Sequence, residues 1–178
     1  AKTESYKTVL DLGVPHICLD NVYESSRNFS TLSKNLAKAV AQQGEDCVYL
    51  VDGAATDDNS VKALIKRMRG KIEIIDGVSK TTALVRAAGF ADCSYTAVSA
   101  YELAERAREG NLALPLLVYD LDDEGLASDC KLILGNLYGE ETAVKYLVGG
   151  KAKKIPLFEL DRQKGYDYTS AVALERVD

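Results

Sequence analysis

Apolar residues in this chain follow two kinds of spacing, which predict two kinds of secondary structure. Residues 47–51, CVYLV, form a short unbroken apolar run, which is typical of a strand covered on both faces. Between residues 25 and 44 the apolar side chains instead recur every three or four positions, which predicts a helix that stops at Gly44. These periodic positions are Phe29, Leu32, Leu36, Ala39 and Val40.

Two Asp-Gly turns each join a strand to a helix. The first, Asp52-Gly53, leads from the run 47–51 into a capped helix over residues 57–70 that is expected to end at Gly70. A short strand, HICLD at residues 16–20, comes earlier. The pattern of strand, turn and helix predicts βαβ units.

The second turn, Asp76-Gly77, follows the strand 71–76 (KIEIID) and precedes a helix over residues 78–89 that Ser79 is expected to cap. Repetition of the pattern predicts a parallel sheet with right-handed crossovers. Both turns then lie at the carboxyl ends of strands. That edge of an open α/β sheet is where ligands bind, facing the N-termini of the following helices.

The second half of the chain is richer in strands. It opens with a helix over residues 99–110, for which Ser99 and Glu102 form a capping box. The later elements are strands at 114–121, at 143–150 and within 166–177, a helix at 126–139 and a short segment at 154–161. We therefore expect an α/β protein of two lobes, residues 1–98 with a parallel sheet and residues 99–178 with a mixed sheet.

Composition excludes several classes of protein. The 178 residues are 47% hydrophobic and 28% charged, which is ordinary for a folded domain. A net charge of -5 argues against nucleic acid as the main ligand, because phosphate binding needs a basic surface. The sequence contains no apolar run of about 20 residues and no signal-peptide pattern, so we expect a cytoplasmic protein without a membrane partner.

Cysteine and histidine offer little chemistry. The four cysteines are far apart without a C-x-x-C pair, which predicts neither a zinc site nor a redox motif but free thiols that are buried or half-buried. His16 is the only histidine, in an apolar stretch where a packed or surface role is expected. Sites with several histidine ligands are therefore excluded, and so are catalytic triads that do not use His16.

An acidic cluster follows the apolar strand near residue 119. Asp120, Asp122, Asp123 and Glu124 imitate the D-x-D motif of phosphatases, in which two aspartates flank a magnesium ion. Glu124 stands where that motif has Thr or Val, and the cluster lies too late in the chain for the rest of such a domain. We favour a helix N-terminus, with Asp122 to Glu124 in the first turn, where negative charge is stabilised by the helix dipole; a metal site and a ligand contact are the alternatives.

The order of these stretches resembles a known family. Residues 46–89, which run from DCVYLVDGAATDD to VSKTTALVRAAG, are similar to the tetrapyrrole methylases that use S-adenosylmethionine. In that family a strand, a P-G-D-P-like loop, a helix and a strand ending in P-G-V-S follow one another. Residues 114–150 and 155–174, with ASDCKL, PLFELDR and YDYTS, resemble the branch fused to a MazG-type nucleoside triphosphate pyrophosphohydrolase.

The resemblance implies a two-lobed α/β fold with S-adenosylmethionine in the cleft between lobes. Gly53 matches the glycine of the first loop, where the absence of a Cβ lets the backbone approach the donor. The residues at matching positions are Asp52, Gly53, Ala54, Ala55, Val78, Ser79, Lys80, Thr81, Leu121 and Gly149. For the glycines the alternative is an ordinary turn, and for Ser79 and Thr81 it is helix capping.

The chain also departs from the family pattern. Asp52 and Asp76 stand where proline is usual, and Ala54 and Ala55 replace an acidic or histidine residue and a proline. The family opens with a strand and a Gly-rich loop that contacts the donor, whereas residues 1–10 resemble sequence from just after it. We therefore expect the intact protein to carry that segment upstream.

Two hypotheses follow. The first is a methyltransferase domain that acts on a small cyclic substrate. The resemblance indicates no catalytic residue and no metal, because the sulfonium of the donor drives the reaction and positioning suffices. The second is a degenerate module that senses a ligand or dimerises for a fused nucleotide pyrophosphohydrolase. The altered loop and the acidic cluster favour the second, since like charges repel an anionic tetrapyrrole. The family usually forms homodimers.

Overall fold

A computed structural model of the chain describes residues 4–26, 29–44, 46–69, 71–167 and 169–176. The fold is mixed α/β, as predicted, and it divides into two units, Ala1–Ser79 and Lys80–Asp178. The predicted lobe boundary, between residues 98 and 99, stays a prediction. The units divide earlier than that because the helix and strand that follow Ser79 pack with the second unit.

The first unit is built from helices around a small apolar cluster. Its elements are α1 (Glu4–Asp11), α2 (Asp20–Ser25), α3 (Phe29–Ala41), α4 (Asn59–Met68) and a 3₁₀ turn (Ala55–Asp57). The helices α3 and α4, both predicted from periodicity, pack through the buried side chains of Ala37, Val40 and Leu64. This α3/α4 cluster is the main apolar contact of the unit.

The start of α4 follows from its sequence. The Asp58 side chain accepts hydrogen bonds from the backbone N–H groups of Ser60, at 2.7 Å, and Val61, at 3.3 Å. Two of the otherwise unpaired N–H groups of the first turn are thereby satisfied. The prediction of a capped helix is confirmed; its predicted stop, Gly70, lies outside the described residues.

The predicted strands of the first unit have no ladder partner. Residues 16–19, 47–51 and 71–76 are assigned neither helix nor strand, Asp20 begins α2, and the described part of this unit contains no strand. Tyr49 and Ile72 pack against the α3/α4 cluster. A strand needs a hydrogen-bonded neighbour as well as the right side chains, so the described residues do not form the predicted parallel sheet.

The second unit contains one five-stranded sheet. Its strands are β1 (Thr96–Ser99), β2 (Leu116–Tyr119), β3 (Ala143–Val148), β4 (Lys151–Pro156) and β5 (Ala171–Leu174), in the spatial order β1-β2-β5-β3-β4. The strands β1 and β2 are parallel and the other pairs are antiparallel, which confirms the predicted mixed sheet. Neither β1 nor most of β4 was predicted from the sequence. The Gly149-Gly150 turn joins β3 and β4 into a hairpin.

Helices cover both faces of this sheet. They are α5 (Lys80–Ala88), α6 (Leu103–Arg108), α7 (Glu124–Tyr138) and a 3₁₀ helix (Leu157–Arg162). Alternate residues of β2 point to opposite faces: Leu116 belongs to a cluster with Leu103 and Leu134, whereas Leu117 belongs to a second cluster with Leu84. The strands β2 and β5 are therefore buried on both sides.

An ion pair joins two stretches that the family resemblance had singled out. Lys131 of α7 lies 2.5 Å from a carboxylate oxygen of Asp161, in the 3₁₀ helix of residues 157–162. The hydrogen bond from Lys131 is the main reason that the pKa of Asp161 is lowered. ASDCKL and PLFELDR are thus held together in the fold by a partly buried pair.

Two expectations from the sequence are wrong. Ser99 ends β1 and does not cap a helix, because α6 begins only at Leu103 and Glu102 occupies its N-cap without a side-chain hydrogen bond. Only Cys130 is a buried thiol, with a pKa raised to about 12 by burial, while Cys18, Cys47 and Cys93 are exposed. His16 is exposed, which agrees with the surface role and not with the packed role expected for it.

Among the described residues, no helix combines the length and the apolar character needed to cross a bilayer.

Candidate functional site

The parallel strands β1 and β2 end at the same edge of the sheet, where Asp120 follows β2. Asp120 is buried and has a positive φ of 64°, a conformation that is unusual for a residue other than glycine. Its carboxylate accepts hydrogen bonds from Lys80 and from the Ser99 hydroxyl, which lies 2.9 Å away. Such backbone outliers cluster at functional sites, so this edge is the candidate site of the second unit.

Lys80 connects this edge to the start of α5. Its ammonium group pairs with Asp120 and lies 5.7 Å from the centre of the Tyr119 ring. Both contacts are favourable for a cation, the first by charge and the second through the ring quadrupole. Thr81, the next residue of α5, is partly buried. Lys80 is therefore a predicted donor-site residue that the fold brings to the acidic edge.

Asp122 is the second carboxylate of this edge. One of its oxygens accepts a hydrogen bond of 2.7 Å from the Tyr101 hydroxyl, and the other is shielded from solvent without a hydrogen-bond partner among the described residues. Burial raises the pKa of Asp122, against the lowering effect of the Tyr101 bond. Burial also raises the pKa of Tyr101, and the bond to Asp122 adds to that increase. The pair therefore resists ionisation of the tyrosine.

Two of the three acids predicted for the first turn of the helix, Asp123 and Glu124, serve it, whereas Asp122 precedes the N-cap and bonds to Tyr101. Asp123 is the N-cap of α7, where its carboxylate accepts a hydrogen bond of 2.8 Å from the Leu126 N–H, and Glu124 lies in the first turn. No set of three or more described His, Cys, Asp or Glu side chains is arranged to hold a metal ion. The four-acid cluster is thus divided between a helix start and the two carboxylates of the sheet edge.

Leu121 and Gly149 occupy different surroundings. The Leu121 side chain is fully buried in the core cluster of β2, and its N–H donates to the Ser170 carbonyl at 3.1 Å. Gly149 is exposed in the β3–β4 turn, with a φ of 54°. Lys80, one of the donor-site residues predicted in the second unit, bonds to Asp120.

In the first unit, the two predicted donor loops touch. A Cβ built on Gly77 would lie 2.2 Å from the Gly53 carbonyl oxygen, far closer than atoms can approach, so only glycine fits there. Gly53 itself has a φ of 82°. The Ser79 hydroxyl donates to the Asp57 carboxylate at 2.5 Å, which is a second link between the same two segments.

The flanking residues of these loops differ in burial. Ala54 is buried and Ala55 begins the 3₁₀ turn, whereas Asp52 and Val78 are exposed. Glycines that permit close backbone contact leave main-chain groups accessible without obstruction by side chains. The predicted residues of this unit that the fold brings together are therefore Gly53 and the segment from Gly77 to Ser79.

Sequence reasoning found Asp120, Asp122 and Lys80 but missed the other two partners, Ser99 and Tyr101. Ser99 was interpreted as a helix cap and Tyr101 was not singled out. The signal was available: Thr96, Ala97 and Val98 form a short β-prone run just before Ser99, so that a strand parallel to β2 would end at the same edge.

No protein-family model matches the chain, and a search of curated proteins found no match.

Proposed function

We propose that this chain is a methyltransferase domain of the tetrapyrrole methylase type, which binds S-adenosylmethionine and acts on a small cyclic substrate. The observation that carries the proposal is the contact between Gly53 and Gly77. The family resemblance assigns these two glycines to two separate donor-binding loops, and the resemblance contains no information about their distance. Their close approach in the fold is what a shared ligand site would require.

The acidic edge of the second unit supports the same proposal through charge. When bound, S-adenosylmethionine supplies a positively charged sulfonium whose methyl group passes to a nucleophilic atom, leaving S-adenosylhomocysteine. Asp120 and Asp122 lie at the edge where ligands of α/β sheets bind, Asp120 paired with Lys80 and Asp122 bonded to the Tyr101 hydroxyl. Two acidic side chains and one basic side chain leave this edge acidic, which is complementary to a sulfonium cation. The finer fold that we propose is the two-lobed methylase architecture.

The residues of the chain contribute positioning in this proposal. Gly53 and Gly77 leave room for close backbone approach, while Ser99 and Lys80 hold the Asp120 carboxylate in one orientation. Because the sulfonium is already a good leaving group, holding donor and acceptor in line supplies the remaining rate enhancement. We assign no catalytic acid or base.

The proposal is tested by calorimetric titration of S-adenosylmethionine and S-adenosylhomocysteine into the protein. We expect saturable binding that Gly53→Trp abolishes, because the bulky ring would fill the space beside Gly77. Gly13→Trp is the matched control, since Gly13 also has a positive φ but has no neighbouring atom within 4 Å of its would-be Cβ. Absence of binding, or equal loss in both variants, would contradict the proposal.

A second candidate function is favoured by the hydrogen bonds that already occupy the Asp120 and Asp122 carboxylates. Lys80 and Ser99 occupy the Asp120 carboxylate, and Tyr101 holds Asp122, so that these groups are stabilised in place rather than left accessible for chemistry. This suits a degenerate module that senses a ligand, or dimerises, for a fused nucleotide pyrophosphohydrolase. Donor binding without methyl transfer to any tested cyclic acceptor would favour this function over the first.

The proposal also includes the homodimer and the cytoplasmic location expected for the family. Light scattering of the purified protein over a range of concentrations tests the first of these directly, because a dimer would show twice the chain mass of 19.3 kDa.

A further inference from the structure

Two non-helical runs of the first unit lie against the same helices. Tyr49, in the run 47–51, and Ile72, in the run 71–76, both pack on the α3/α4 cluster. The ends of the two runs also meet, since Gly53, two residues after the first run, is in contact with Gly77, directly after the second. Both runs therefore contact the α3/α4 cluster, and their carboxyl ends lie beside one another.

The opposite side of these runs is uncovered. Val48 is 83% exposed, Leu50 64% and Ile75 84%, whereas Tyr49 and Ile72 are partly buried and Ile74, at 37%, is much less exposed than Ile75. This alternation places Val48, Leu50, Glu73 and Ile75 on one surface, which we call the open face. Three of its four residues are large and apolar.

Such exposure is costly for a protein in water. Water solvates apolar side chains poorly, and contiguous apolar patches of this kind usually mark interaction sites. The unbroken apolar run 47–51 is typical of a strand that is covered on both faces. The α3/α4 cluster covers one face, and no other described residue covers the open face.

Charge around the open face indicates what covers it. Asp46 precedes the first run, Asp52 follows it, Asp76 follows the second run and Glu73 lies on the open face itself, and all four carboxylates are exposed. Lys71 is the only basic residue within or next to the two runs. A second copy of the same face would bring these acids against each other in a two-fold interface, which is unfavourable.

We propose that the open face binds an amphipathic helix of a protein partner, whose apolar stripe packs on Val48, Leu50 and Ile75 and whose flanking Lys or Arg side chains pair with the surrounding acids. A helix is the usual layer on the outer face of such runs in α/β proteins. An apolar stripe laid on an apolar surface, with complementary charges at its rim, is a known mode of helix recognition. Asp52 belongs both to this acidic rim and to the proposed donor loop, but the apolar residues of the open face are not among the proposed donor-binding residues.

The test uses two designed fluorescent peptides of about 18 residues, or roughly five helical turns. Both carry the same leucine stripe, and their other positions are all Lys in one and all Glu in the other. We expect fluorescence anisotropy to show that the Leu/Lys peptide binds at least about tenfold more tightly than the Leu/Glu peptide, a difference of ~1.4 kcal/mol.

Variants then locate the binding surface. We expect the double change Leu50→Thr and Ile75→Thr to weaken binding of the Leu/Lys peptide at least about tenfold. The matched control is Leu132→Thr with Leu137→Thr, which removes two exposed leucines from α7. Far-UV circular dichroism checks that each variant remains folded.

Hydrogen exchange on the unaltered protein gives an independent reading. Bound Leu/Lys peptide is expected to slow exchange in residues 47–51 and 71–76, even if the double variant fails to fold. The proposal is overturned by equal binding of the two peptides, by equal weakening in the control, or by protection elsewhere. A dimer in the free protein that the double variant converts to monomer would assign the face to a second copy instead. None of these outcomes depends on S-adenosylmethionine binding.

Discussion

The two units of this protein treat similar apolar runs in different ways. In the second unit, LLVY of β2 is hydrogen-bonded to a strand on each side and is covered by helices on both faces. In the first unit, CVYLV has no strand partner among the described residues and is covered on one face only. An apolar run can therefore form a buried strand, but whether it does so depends on the segments that pack beside it.

The largest contrast is expected in the protection of backbone amides from hydrogen exchange. Amides of β2 and β5 should exchange slower than those of residues 47–51 by a factor on the order of 10³ or more, because they open only with global unfolding. Hydrogen exchange read by mass spectrometry measures this. Similar protection in both regions would contradict this expectation. It would indicate that residues 47–51 form a hydrogen-bonded strand as stable as β2.

A smaller but clear contrast is expected for leucine truncation. Leu116→Ala removes a fully buried side chain from β2 and should lower the free energy of unfolding by about 2–5 kcal/mol. Leu50→Ala, on the open face, should change it by no more than about 0.5 kcal/mol. Urea unfolding followed by circular dichroism compares the two variants. An equal cost at Leu50 would show that the open face is covered in the free protein.

The smallest effect concerns one tyrosine in each unit. Burial raises the pKa of Tyr49 to about 12 and that of Tyr166 to about 12. Because an unfolded tyrosine ionises near pH 10, the folded protein retains these protons longer, and its stability falls as the pH rises from about 10 to 12. Each residue contributes at most ~1.4 kcal/mol per pH unit to that loss, and Tyr166, which is partly exposed, contributes less because solvent screens its interactions.

We expect Tyr49→Phe and Tyr166→Phe each to flatten the alkaline decline in unfolding free energy, measured by urea titrations at several pH values. Tyr95→Phe, which changes an exposed ring, serves as the control. The two partly buried tyrosines should behave alike, because burial is the main cause of the raised pKa of each. If only Tyr166→Phe flattens the alkaline decline in unfolding free energy, the first unit opens at a lower pH than that at which Tyr49 loses its proton.

Part of this protein could be predicted from sequence because the interactions that form it are local. The helices α3, α4 and α7 follow from apolar periodicity, and the caps Asp58 and Asp123 follow from side chains that bond the N–H groups two or three residues ahead. Within the candidate site, the two carboxylates of Asp120 and Asp122 were identified because they directly follow an apolar strand.

Contacts between distant residues were decided by the tertiary structure. Lys80 and Ser99 meet at Asp120 only because α5, β1 and β2 assemble around one sheet, and Tyr101 finds Asp122 in the same way. Ser99 shows the limit most clearly: its local sequence predicts a capping box, and its strand position overrides that preference. Local patterns specify what each segment can form; which apolar runs are covered and which acids find partners depends on packing between segments, which propensity and periodicity do not contain.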